Sequence, residues 1–101
     1  MRAYIIDDDP IMLQLLTHLL TGVGHEVTSS QSSGDALAEV LACRPDFILV
    51  DIMMPQLDGL EFCRRVREHA ELAATKVIVV TAKSYDFDRR QATAAGADGY
   101  I

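Results

Sequence analysis

Cysteine is scarce in this sequence: Cys43 and Cys63 lie twenty residues apart in helical patterns, with no CxxC and no neighbouring histidine cluster. A disulfide scaffold and a cysteine zinc site are thereby excluded. The Met1 end carries no signal-peptide pattern, so a reducing cytoplasm is the expected compartment. No apolar run approaches the ~18 residues that a membrane span requires. Positive charge is also short, with nine Lys and Arg against fifteen Asp and Glu and a formal net charge of −6. The basic residues group only as Arg64, Arg65 and Arg67 on one helical stretch and Arg89 and Arg90 on another. Such groups read as solvated helix faces, and nucleic-acid binding by this segment is not expected. Internal repeats, linkers and low-complexity tracts are missing, which leaves one small domain able to bury roughly two thirds of its unfolded surface around a single core.

What is present is an alternation of two kinds of segment. Residues 3–6 (AYII), 47–50 (FILV) and 77–80 (VIVV) are short, unbroken apolar runs. These suit strands covered on both faces rather than half-exposed ones. Residues 25–30 (HEVTSS) are more polar and read as an edge strand. Between the runs the period becomes helical. Asp9-Pro10 is an acidic cap followed by proline in the first turn, and Ile11, Leu15, Leu16, Leu19 and Leu20 form a stripe that stops at Gly22. Residues 34–43 predict a second helix with Ala36, Leu37, Val40 and Leu41 inward, ahead of Pro45. Asp58 caps a third, with Leu60, Phe62, Cys63 and Val66 inward, and residues 86–95 make a fourth that ends at Gly96. A fifth strand begins at residues 99–101 (GYI). Strand and helix in regular alternation argue for a doubly wound α/β fold, because parallel strands need right-handed helical crossovers.

In such sheets ligands bind beyond the carboxyl ends of the strands. The first strand runs into Asp7, Asp8 and Asp9, the third ends in Asp51 and the fourth in Thr81. If strands one and three are neighbours, Asp7, Asp8 and Asp51 converge. Carboxylates that close need a cation or raised pKa values. No His or Cys lies near these positions, so a hard ion such as Mg²⁺ suits them better than Zn²⁺, with the Met53 carbonyl well placed to join. A carboxylate beside bound Mg²⁺ can act as a nucleophile towards phosphorus, and Thr81 can donate a hydrogen bond to a phosphoryl oxygen across the crevice, with small Ala82 leaving room. Plainer readings hold elsewhere: Asp9 and Asp58 as helix caps, His18, His25 and His69 as surface or rim residues, Met53 and Met54 as packing, Tyr100 as a half-buried strand aromatic.

With these residues in this order the chain resembles the receiver domain of two-component response regulators, from Tyr4 to Ile101. YIIDDDP is similar to that family's strand-one acidic motif, GHEV to its second strand, DFILVDIMMPQLDG to its phosphoacceptor motif, VIVVTA to its fourth strand and AGADGYI to the start of its fifth. Five such motifs in sequence are specific where each alone is weak. The resemblance implies a flavodoxin-like, five-stranded parallel sheet in the order 2-1-3-4-5. It makes Asp51 the phosphorylated aspartate and a Mg²⁺ ligand, Asp8 a direct ligand of the ion and Asp7 one mainly through water, with the Met53 carbonyl completing the protein's share. Thr81 matches the switch hydroxyl and Tyr100 the switch aromatic, while Pro55 and Gly59 match loop positions that shape the site. Lys83 falls at a position that tunes the lifetime of the phosphoryl group.

The implied activity is a phosphorylation-dependent switch, not an enzyme in its own right, whose donor is a phosphohistidine on a sensor histidine kinase or a histidine phosphotransfer protein. One departure stands out. The lysine that follows the family's fifth strand lies past Ile101, as does the fifth helix, so the expectation is a receiver domain over residues 1–101 that is incomplete at its C-terminus and prone to self-association. A receiver-like interaction module that works without phosphorylation is the rival reading. A Mg²⁺-dependent phosphatase is the other, and it is disfavoured because Met53 stands where such enzymes carry a second acid.

Overall fold

The computed structural model describes residues 1–31, 36–51, 59–80, 90 and 93–100. Its elements run β1 (Arg2–Ile6), α1 (Pro10–Gly22), β2 (Glu26–Ser30), α2 (Ala36–Cys43), β3 (Phe47–Asp51), α3 (Gly59–Arg67), a single 3-10 turn (Ala70–Leu72), β4 (Lys76–Val80) and β5 (Gly99–Tyr100). The strands form one parallel sheet in the order β2-β1-β3-β4-β5. The polar strand sits at the edge, as its composition predicts. The three apolar runs form the middle, where both faces are covered and alternation has no use.

Residue parity divides the sheet between two cores. Tyr4, Ile6, Ile48, Val50, Val77 and Val79 face the larger one, where they meet Ala36 and Val40 of α2 and Phe62, Cys63 and Val66 of α3. Ile5 and Leu49 face the smaller one, closed by Leu13 of α1 with Leu16, Leu20, Val27, Phe47, Ile78 and Val80 half-buried around them. The expected inward residues of α2 and α3 are all in the larger core, with Leu37, Leu41 and Leu60 at its margin.

α1 is where the residue pattern misleads. Asp9 caps it as expected, accepting a hydrogen bond from the Ile11 N–H at 2.9 Å, and Pro10 occupies the first turn, where its missing N–H costs nothing. The expected stripe splits, however. Leu16 and Leu20 join Leu13 against the sheet, whereas Ile11, Leu15 and Leu19 are 75%, 51% and 55% exposed. The helix is apolar on more than one flank, and only one flank meets β1 and β2. The anticipated fourth helix, residues 86–95, lies largely outside the described residues.

α2 ends on an unusual residue. Arg44 has φ +45°, in the left-handed region that closes many helices but costs a side chain roughly 1–2 kcal/mol. Its N–H donates to the Val40 carbonyl at 2.8 Å, and Pro45 then prevents the helix from continuing.

Candidate functional site

The winding reverses between β1 and β3: β1 has the polar strand β2 on one side and β3 on the other. Register places Ile6 beside Val50, so the residues that follow each strand leave the sheet at the same level. Asp7 is tied to this edge through its backbone, whose N–H donates to the Ser30 carbonyl at the end of β2 (3.2 Å). Its side chain accepts from the Asp9 N–H at 2.9 Å, which fixes the turn that starts α1. Asp51 is the last residue of β3 and pairs in register with Val80.

The outcome is a cluster of Asp7, Asp8 and Asp51, each offering a carboxylate oxygen, with these oxygens within 4.8 Å of one another. Asp7 is buried, Asp51 half-buried and Asp8 exposed. Burial is the chief cause that pushes the Asp7 carboxyl above the usual carboxylate range, opposed by the hydrogen bond from Asp9 and reinforced by the charges of Asp51, Asp8 and Asp9. Desolvated like charges held together make a site that a hard cation would relieve, and an all-oxygen donor set matches Mg²⁺ in kind. The donors present therefore fit the ion.

The sequence-derived site residues fare unequally. Asp7, Asp8 and Asp51 are brought together. Met53, Pro55, Thr81, Ala82 and Lys83 lie outside the described residues. Tyr100 is described through its backbone, which pairs with Val79, one residue short of the level of Asp51 and Val80. His18 is exposed as expected. His25 is more enclosed: its ring meets Phe47 edge-on at a centroid distance of 5.4 Å, and its Nδ1 is buried without a hydrogen-bond partner among the described residues.

Arg67 is a correction. Grouped with Arg64 and Arg65 it reads as part of a solvated face, and those two are indeed exposed and pair with Glu61 at 3.2 and 3.6 Å. Arg67 instead folds inward, with its side chain 25% exposed and its guanidinium spent on four acceptors. Nothing in the local pattern distinguishes it from its neighbours, because two of its partners, Gly96 and Asp98, lie far along the chain.

A doubly wound parallel sheet with an acidic trio at its switch point suits a domain that binds a divalent cation and handles phosphoryl groups. Comparison with known proteins gives the same class. The family profile described as "Response regulator receiver domain" matches residues 3–101. Protein PilH of Pseudomonas aeruginosa is 36% identical over 100 residues, covering 99% of this chain and 83% of PilH. The transcriptional regulatory protein ResD of Bacillus subtilis is 36% identical over 100 residues, but there the match spans only 40% of the relative. Among solved structures, the chemotaxis protein CheY4 of Vibrio cholerae superposes with a TM-score of 0.94 at 28% identity, covering 99% of this chain and 83% of that one. The chain belongs to the response regulator receiver domain family. Domains of this kind are phosphorylation-dependent signalling modules of two-component systems and not a catalytic family.

Proposed function

We propose that Asp51 is the phosphoacceptor, taking its phosphoryl group from a phosphohistidine on a sensor histidine kinase or a histidine phosphotransfer protein. The observation that carries this reading is the convergence of Asp7, Asp8 and Asp51 at one sheet edge. Asp51 is the member of the trio at a strand end, held in register on β4, so its carboxylate is oriented by the sheet rather than by a loop. A carboxylate oxygen of Asp51 attacks phosphorus. The P–N bond breaks, its electron pair returns to the imidazole, and that nitrogen takes a proton from solvent.

Asp7, Asp8 and Asp51 would hold Mg²⁺ in this reading, with the Met53 carbonyl as a further ligand. When bound, the ion supplies positive charge against the phosphoryl oxygens. Thr81 then acts as the switch hydroxyl and Tyr100 as the switch aromatic, the domain comprising residues 1–101. The free thiols of Cys43 and Cys63 suit a reducing cytoplasm.

Incubation with acetyl phosphate and Mg²⁺ tests the assignment. Intact mass should show one added phosphoryl group, acid-stable and base-labile, and Asp51→Asn should abolish it. Omission of Mg²⁺ or Asp8→Ala should suppress labelling strongly. Labelling that survives Asp51→Asn would refute the assignment. No labelling, even in a longer form carrying the lysine expected after β5, would favour an interaction module that works without phosphorylation.

A further inference from the structure

At the edge of the sheet opposite the acids, one side chain joins three separate pieces of chain. Arg67, the last residue of α3, donates from Nε to the Gly96 carbonyl (2.9 Å) and from Nη1 to the Leu72 carbonyl (3.2 Å). Its Nη2 donates to the Thr75 carbonyl (2.8 Å) and to the Asp98 carboxylate (2.5 Å). Gly96 makes the approach possible. Its φ is +101°, and a Cβ there would stand 2.5 Å from Cγ of Arg67. Any other residue at 96 would have to displace the arginine.

Asp98 turns this bracket into a ruler for β5. Its Oδ2, the oxygen held by Arg67, also accepts from the Val77 N–H at 2.8 Å, while its own N–H donates to the Val77 carbonyl at 2.7 Å. Among the described residues β5 is otherwise held on β4 by the pairs Gly99 with Ile78 and Tyr100 with Val79. Pairing this short among the described residues specifies register weakly, and a slip by one residue would turn every side chain to the opposite face. The Val77–Asp98 pair adds a further rung whose side-chain half depends on a carboxylate oriented by Arg67.

We propose that Arg67 and Asp98 are positioning residues for the switch: they fix the register of β5 on β4, and with it the level at which Tyr100 stands beside the phosphoacceptor edge. The assignment of Tyr100 as a responder rests on the function proposed above; the register bracket does not. Anchored at Asp98, β5 responds to events at Asp51 by movement towards its carboxyl end, with Asp98 as the fixed point.

The test compares the full chain with Arg67→Gln, Arg67→Lys and Asp98→Asn by amide hydrogen exchange and by ¹H–¹⁵N spectra before and after acetyl phosphate and Mg²⁺. In Arg67→Gln and Asp98→Asn the amides of Asp98, Gly99 and Tyr100 should exchange ~10-fold faster while those of β1 and β2 keep their rates, the signature of local opening rather than general destabilisation. Both variants should still be labelled on Asp51, yet the shift of the Tyr100 amide on labelling should fall below about half of the parent's. Arg67→Lys, which keeps the charge but not the fork, should restore part of both. Should Arg67→Gln fail to fold, Asp98→Asn carries the comparison. Uniform acceleration across all strands, unchanged exchange in β5, or an undiminished Tyr100 response overturns the proposal. A parent chain that takes no phosphoryl group sinks the reading of Asp51, and the exchange comparison then decides the bracket by itself.

Discussion

Tyr4 carries a hydroxyl into the larger core. Fully buried on β1, it donates that hydroxyl to Glu39 of α2, and burial first, then Glu39, pushes its pKa upward. A raised folded pKa means that the native state keeps a proton which the unfolded chain gives up near pH 10. The stability it represents is intact below that pH and is lost as the pH climbs from there towards the folded value. Tyr4→Phe should cost about 1 kcal/mol at neutral pH and remove much of the alkaline decline, measured by denaturant melts between pH 8 and about 11. An equally steep decline in the variant would show that Tyr4 is not its source. The acids at the other end of β1 make a contrasting case. Asp7 is buried among carboxylates that repel it, so Asp7→Asn should raise the melting temperature in a chelator and weaken the stabilisation that millimolar Mg²⁺ gives the parent. A variant no more stable than the parent in chelator would show that repulsion within the trio has little cost.

Among the elements, α2 ends on a strained residue that a single change can relieve. Arg44 holds φ +45° with its side chain exposed, so Arg44→Gly should stabilise the chain by roughly 0.5–1 kcal/mol, the left-handed penalty less the greater unfolded-state freedom of glycine. Urea unfolding measures it; a loss of stability would mean that the arginine side chain contributes more than its backbone costs. The helices also show how far the residue pattern reads. α2 and α3 present one apolar face each, and the residues expected inward are inward. α1 is apolar around most of its girth, so periodicity alone does not say which flank meets the sheet, and its stripe mixes half-buried Leu16 and Leu20 with exposed Ile11, Leu15 and Leu19. The strands were legible because burial on both faces writes itself as an unbroken apolar run. The acidic trio was legible because topology brings strand ends together at a known edge. Arg67 was not, since its role depends on a glycine and an aspartate brought to it by the sheet.

For the whole molecule, the two sides of the sheet are unequally closed. Among the described residues the α2/α3 side holds most of the fully buried ones, while on the other side α1 leaves Ile11, Leu15, Leu19 and Val23 exposed and β4 leaves Ile78 and Val80 half-buried. α1 carries no charged residue along its thirteen positions, so two copies of an acidic chain can meet there without opposing carboxylates. The 101-residue chain should therefore self-associate as its concentration rises. Sedimentation velocity should show the shift, and Leu15→Gln with Leu19→Gln should reverse it. A longer form bearing the helix expected after β5 should be monomeric under the same conditions. A chain that stays monomeric at every concentration would mean that the exposed leucines are tolerated singly and do not act as one surface.

β1, the first strand in chain order, is an inner strand of the sheet. β1 lies between β2 and β3, stitched to one side by the Glu26 N–H on the Met1 carbonyl and to the other by the Asp46 N–H on the Arg2 carbonyl. During synthesis β1 is thus made before both strands that flank it and is enclosed only after them. β1 can pair on one side once Ser30 has emerged, but its second neighbour must wait for Asp51, and the larger core closes only after α3 and β4 follow. For that interval AYII is a bare apolar segment, and what shields it until its neighbours arrive decides whether it pairs with another nascent copy of itself.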